Sequence, residues 1–463
     1  MSDKKNELQE KLCYTPKNAA KTFTEEKKKK AFSFAEGYKA FLDGAKTERE
    51  AVRYALNLAI QNGYSEFEYG REYKPGDRVW FVNRDKALIL ANVGQKSPEE
   101  GFGIVASHID APRIDLKPNP LCEMDGIAYF KTHYYGGIKK YQWPTIPLAL
   151  HGTVALSDGK KFDLCIGEDD NDPVFYISDL LPHLGKDQMK RVAAELTPGE
   201  NLKAIAGTLP IDEENVKDAV KLNVLNYLNE NYGMIEEDFI SAELTLVPAM
   251  KAKDVGFDRN LIASYAHDDR VCAYPSLKAM MDAQTPTYTS VLVLADKEEI
   301  GSAGNTGLTA NYLYDFLVEL CGKQNYRKAL RNSWCLSADV NAAFDPIFPE
   351  VHEKQNSCFI NHGAVITKYT GAGGKSSTSD ASAEFMGKIR ALLNENDIVW
   401  QIGELGKVDQ GGGGTVAKYV AQLNIDVVDL GVPVLSMHAP YEVVSKLDVY
   451  STYETCLAFF DRK

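Results

Sequence analysis

No two of the eight cysteines stand as a CxxC pair. They are scattered at positions 13, 122, 165, 272, 321, 335, 358 and 456, several inside apolar runs such as Phe162-Asp163-Leu164-Cys165-Ile166. That spread argues against a disulfide framework and for reduced, buried thiols in a cytoplasmic protein. Positive charge is also short: 52 Lys and Arg face 65 Asp and Glu, a net charge of −13. A nucleic-acid binder needs a basic face to neutralise phosphate, so this balance argues against nucleic acid as a partner, though it leaves room for one local basic pocket. No run of 18 apolar residues is present, so no membrane span is expected. No apolar signal core follows Met1-Ser2-Asp3-Lys4-Lys5-Asn6, and no internal repeat is visible.

What is present is a long chain with enough apolar residues for a large core. Its 463 residues and 44% hydrophobic content suit an ordinary globular protein of two or three domains. Residues 47–63 carry helical spacing (Val52, Ala55, Leu56, Ala59) between Thr47 and Asn62-Gly63 as caps. Lys27 to Lys30 follow Thr24-Glu25-Glu26 and enter an aromatic helix, so this basic run reads as a solvated helix face. Residues 79–82 and 87–91 read as strands around Asn83-Arg84-Asp85-Lys86, and residues 102–107 as a buried strand ending at His108.

From about 116 to 248 the texture changes to short strand-like runs at 127–130, 148–156, 162–166, 174–177 and 242–247. A polar, helix-patterned segment at 210–231 connects them. After Asp254, apolar strands at 291–295, 334–338, 364–367, 398–402 and 427–430 alternate with helical stretches at 311–320 and 382–393. Such alternation predicts an α/β fold with a mixed, mostly parallel sheet flanked by helices. The β-rich stretch is expected to be a second domain, 114–252, inserted between catalytic segments 1–113 and 253–463.

Five places combine strand ends with metal-ligand side chains: His108-Ile109-Asp110, His267-Asp268-Asp269, Glu298-Glu299, Asp339 and His438. One histidine or carboxylate after a strand is usually a cap. Five, expected on strands of one sheet, are hard to explain that way. Clustered carboxylates without a counter-charge repel one another, and a divalent metal resolves the conflict. Mixed histidine and carboxylate ligands favour zinc, with manganese or cobalt as alternatives. Of two adjacent glutamates at a strand's end, one can bind metal while the other takes a proton from water held by the metal.

These motifs resemble those of the M18 (aspartyl aminopeptidase) family of two-metal aminopeptidases. The resemblance rests on Ser107-His108-Ile109-Asp110-Ala111-Pro112, Asp296-Lys297-Glu298-Glu299-Ile300-Gly301-Ser302, Ser337-Ala338-Asp339-Val340 and Ser436-Met437-His438, in family order. Tyr135-Gly136-Gly137 and Val428-Asp429-Leu430-Gly431 add further matches, and similarity runs from about Tyr14 to the C-terminus. The resemblance implies a zinc-exopeptidase fold whose insert serves dimerisation. It implies two divalent ions per subunit: His108 and Asp339 on one, Glu299 and His438 on the other, and Asp268 bridging both. Glu298 is implied as general base, with Asp110 orienting His108. Asp269 stands where family members commonly carry Asn, and motif register assigns the bridge to Asp268; His267 reads as structural.

The resemblance also implies that a neighbouring subunit lends a histidine, here His183 in Ile177-Ser178-Asp179-Leu180-Leu181-Pro182-His183-Leu184. A homo-oligomer follows, in the family a tetrahedral dodecamer built from dimers. The expected substrates are peptides with a free N-terminus. Lys375 is the candidate contact for an acidic first residue, and Gly412 and Gly413, within Gly411 to Gly414, the candidates for a loop bordering the substrate. Gly373-Gly374-Lys375-Ser376 echoes a P-loop, but Tyr369 occupies the position that needs glycine. His352 is placed near the site by resemblance; His133, His151 and His362 read as structural. Two alternatives stay open: a related two-metal carboxypeptidase or deacylase, and a self-assembling shell protein with an inert metal site.

Overall fold

A computed structural model describes residues 8, 9, 11–212 and 216–463. The opening residues read above for a signal core, and residues 213–215 of the connecting segment, lie outside that description. A nine-stranded sheet organises the larger part of the molecule, with helices on both faces. At its centre, Ser290–Ala295, Gly103–His108, Trp334–Ala338 and Asp426–Gly431 run parallel side by side. Antiparallel partners flank them: Ala87–Asn92 on one side and Ala364–Thr367 on the other.

Alternate residues along the central strands enter opposite cores, as a doubly covered sheet requires. Leu292 and Leu294 pack with helices Glu25–Gly44, Glu48–Gln61, His267–Asp282 and Lys446–Phe460, whereas Val291 and Val293 pack with Tyr312–Cys321. The helix Glu48–Gln61 begins with a full capping box, Thr47 accepting from the Glu50 N–H while Glu50 reaches back to the Thr47 N–H.

A second sheet of seven strands is drawn entirely from Arg113 to Pro248 and has its own core, closed by the helix Ala219–Tyr232. Its longest strand, Arg113–Met124, was not foreseen, because Pro118 and Pro120 argue against a strand. The pairing with Ile127–Tyr135 slips between Leu116 and Leu121, so both prolines fall in the irregular stretch where no ladder N–H is needed.

The five motif strands do not share one sheet, contrary to expectation. Three belong to the nine-stranded sheet, while Leu261–Ser264 and Pro433–Leu435 belong to a separate five-stranded one. The ladder continues across the break: Asp339 N–H donates to Leu430 O at 2.8 Å, Asn341 N–H to Val432 O at 2.9 Å and Ala343 N–H to Val434 O at 3.0 Å. Gly431 permits the crossing, since a Cβ there would come within 2.6 Å of the Asp339 carbonyl. Ligand-type side chains therefore gather where two sheets meet at the ends of parallel strands, the usual place for a site in an open α/β sheet.

Candidate metal centre

His108 closes the strand Gly103–His108 and is buried. Its Nδ1 lies 3.0 Å from the Asp110 carbonyl and 3.3 Å from the Asp110 carboxylate, which fixes the ring and directs Nε2 into the site. Nε2 is 3.1 Å from Asp268 Oδ1 and 3.7 Å from Asp339 Oδ1. Across the site, His438 Nε2 is 3.1 Å from Asp268 Oδ2 and 3.6 Å from Glu299 Oε2. The Asp268 carboxylate thus lies between the two imidazoles, one oxygen toward each. Asp269, its neighbour, accepts from the His108 N–H at 3.4 Å and lies on the Asp339 side of the site.

After Ser290–Ala295 the chain passes through Lys297 in the left-handed region (φ 68°) into the single turn Glu298–Ile300. A turn frees the two glutamates from the opposite-face rule of a strand. Asp110 caps it: Glu298 N–H and Glu299 N–H donate to its two carboxylate oxygens at 3.1 and 3.2 Å, and the Tyr135 hydroxyl donates at 2.8 Å. Asp110 therefore positions both glutamates as well as His108.

Burial and mutual repulsion dominate the electrostatics. Burial, with the Asp339 charge next, pushes the Glu298 carboxyl up to about 8. Burial and the Asp268 charge push Glu299 well above the carboxylate range. Burial would lower His438, but Asp268 and Glu299 outweigh it and hold the ring at about 11. Burial would raise Asp110, yet its bond to His108 keeps it below the usual range. Among the described residues, buried Asp268 Oδ1, Asp269 Oδ1 and Glu299 Oε1 have no hydrogen-bond partner. Asp268 Oδ1 and His108 Nε2 sit 3.1 Å apart without forming one. Acceptors that face one another without donors fit a divalent cation, and this nitrogen and oxygen set suits zinc. Donor atoms of His108, Asp268 and Glu299, and of His108, Asp269 and Asp339, come within 4.8 Å of one another.

Three contributors escaped the sequence reading. The Gly137 carbonyl accepts from His438 Nδ1 at 2.7 Å and fixes that ring. A Cβ on Gly136 would stand 3.2 Å from Glu299 Oε2, and one on Gly137 3.3 Å from His438 Nδ1, so the glycine pair makes room for both side chains. Glu442, buried at the start of Glu442–Ser445, accepts from Asp268 N–H at 3.0 Å and from His438 N–H at 2.7 Å. The glycine pair was visible in Tyr135-Gly136-Gly137; a lone glutamate before Val443-Val444 gives no comparable signal.

Other candidates lie further out. His267 receives the Tyr38 hydroxyl on Nδ1 (2.7 Å) and donates from Nε2 to the Ile262 carbonyl (3.1 Å), which agrees with a structural residue. A cleft of about 840 Å3 opens beside His438, lined among others by Gly137, Tyr141, Phe348, His352 and Gly411. Gly412, Gly413 and Lys375 do not line it in the single chain. A Cβ on Gly412 would come within 2.2 Å of the Gly371 carbonyl, so this loop lies tight against the one carrying Lys375. Lys375 Nζ is paired with Asp380 at 3.1 Å and stacks 3.7 Å above the Tyr369 ring. His183 is exposed on the segment between Tyr176–Ile177 and Ala204–Gly207, outside the site of its own chain.

Comparison with known proteins agrees with this geometry. The family described as Aminopeptidase I zinc metalloprotease (M18) matches residues 41–460. A probable M18 family aminopeptidase 1 of Clostridium acetobutylicum is 45% identical over 455 residues, covering 96% of this chain and 98% of that protein. The crystal structure of an M18-family aminopeptidase from Thermotoga maritima superposes with a TM-score of 0.93 at 42% identity, covering 97% of this chain and all of the other. The S. cerevisiae mApe1 dodecamer, 20% identical with a TM-score of 0.74 over 92% of this chain and 96% of its own, shares the fold. With the ligand-rich junction between its sheets and a family match over most of its length, this chain belongs to the M18 family of zinc metalloaminopeptidases.

Proposed function

We propose that the chain cleaves the first residue from peptides bearing a free amine, with two divalent ions per subunit. His108 and Asp339 hold one, Glu299 and His438 hold the other, and Asp268 is shared. The observation that carries this reading is the Asp268 carboxylate, 3.1 Å from an imidazole on either side. When bound, the ions offset the charge of the carboxylates, lower the pKa of the attacking water and polarise the scissile carbonyl. Zinc fits the ligand set, with manganese or cobalt as alternatives. Glu298 accepts the proton from water at its carboxylate and returns it to the leaving amine nitrogen. Asp110 holds the Glu298 backbone, so this carboxyl meets the substrate from a fixed turn.

Substrate enters through the cleft beside His438, and Lys375 favours an acidic first residue. Lys375 is exposed and already paired, so its share is at most about 1 kcal/mol, or about fivefold in rate. The working form is a homo-oligomer, a dodecamer built from dimers joined through the insert 114–252, in which a neighbouring subunit supplies His183. Exposed apolar side chains around it support this: Leu184 and Met189 are 71% and 75% exposed. The compartment in this reading is the cytoplasm, in keeping with cysteines that are all free.

Hydrolysis of Asp, Glu, Leu, Lys and N-acetyl-Leu amides, with chelator and with zinc, manganese or cobalt restored, tests the reading. Metal-dependent release from free-amine substrates alone is expected, with Lys375→Met erasing any preference for Asp over Leu. Cleavage of N-acetyl-Leu would instead mark a deacylase. A stable, fully active monomer would remove His183 from the account.

A further inference from the structure

Glu442 is fully buried, its carboxylate is paired with no lysine or arginine among the described residues, and its two oxygens each accept one backbone N–H. A buried charge of this kind is costly unless its lone pairs are well used. The two donors are the N–H groups of Asp268 and His438, the residues whose side chains meet at 3.1 Å in the site. Their main chains arrive from different elements, Asp268 at the start of His267–Asp282 and His438 after Pro433–Leu435. His438 itself is left-handed (φ 64°), as is Ala266 (φ 61°) ahead of Asp268, so neither segment is held by a regular ladder. From this we infer that Glu442 is a positioning residue for the metal centre, a single carboxylate that fixes the spacing between Asp268 and His438 by holding both backbones. The inference rests on the reading of Asp268 and His438 as metal ligands.

Glu442→Gln tests it. The amide keeps one acceptor and presents a donor to the second N–H, so one of the two tethers is lost while volume and fold are preserved. Metal affinity is measured by competition with a chelator, alongside thermal unfolding of the metal-free enzyme and turnover at saturating metal. The expected result is a loss of affinity of about 10–100-fold. The metal-free variant is expected to stay folded and to unfold only modestly below wild type, because one buried N–H loses its acceptor, and excess metal is expected to restore turnover. Wild-type affinity in the variant overturns the inference. So does a metal-free variant that is already unfolded at the assay temperature, since the loss of affinity then reports folding. If the wild-type enzyme itself holds no divalent metal against the chelator, the metal-ligand reading fails instead, and the two failures are distinct.

Discussion

Around His151 every carboxylate oxygen has a protein donor; around Asp268 several have none. Glu50 accepts from His151 at 2.8 Å and from the Thr47 N–H at 2.9 Å, and Glu168 accepts from His151 at 3.2 Å and from Lys251 at 2.6 Å. Both clusters combine buried histidine with carboxylates, and donor atoms of Glu50, His151 and Cys165 also come within 4.8 Å of one another. The difference is compensation. The His151 cluster is balanced by the chain's own cations and N–H groups, and it ties the helix Glu48–Gln61 to the seven-stranded sheet. The Asp268 cluster leaves Asp268 Oδ1, Asp269 Oδ1 and Glu299 Oε1 without a donor, a shortfall of positive charge that a bound divalent ion would meet. Residue type and proximity do not separate a strap from a metal centre; an audit of donors does.

The comparison can be sharpened in three ways. Glu298→Gln should have the largest effect, lowering turnover by about 10²–10⁴-fold while metal content, measured by mass spectrometry, stays at the wild-type level. Near-normal turnover would remove Glu298 as the base.

His151→Gln should come next, at about 3 kcal/mol of stability, because it removes the cation that two part-buried carboxylates share while leaving the metal centre untouched. Its pH dependence follows from the imidazole, which burial draws down but Cys165, Glu168 and Glu50 hold up at about 11. A histidine raised in this way stabilises fully below its unfolded value, about 6.5, and loses that contribution as pH rises toward 11. The gap in denaturant stability between wild type and variant should therefore be widest below about pH 6.5 and shrink steadily above it. A gap that widens with pH would show that His151 is buried neutral.

The smallest effect is metal re-addition. Zinc at about 100 times its dissociation constant should stabilise the chelated wild-type protein by about 2.7 kcal/mol. The same increment should appear in His151→Gln, read as a shift in unfolding temperature. An increment lost in that variant would make the His151 cluster a metal site after all and break the contrast.

Much of this was legible in the residues. The helix Glu48–Gln61 announced itself through period and caps, and the central strands through apolar runs too short for helices. His108, Asp268, Glu299, Asp339 and His438 stood out because each follows a strand-like run, and the structure brings all five together. Arg113–Met124 was hidden by two prolines whose harmlessness depends on a register slip with its partner strand. Glu442 was hidden because nothing local marks a glutamate whose partners lie 174 residues away, as Asp268 does, and four residues away across a turn, as His438 does.

Sequence by itself determined most element types and put forward the candidate ligand side chains, because period, capping and side-chain chemistry are local properties. Tertiary structure alone decided that the motif strands divide between two sheets, that Asp268 rather than Asp269 faces both histidines, and that Asp110 and Glu442 hold the site from behind. Those outcomes depend on which backbone N–H groups and carbonyls meet across long separations, and the chain settles that only when it closes on itself.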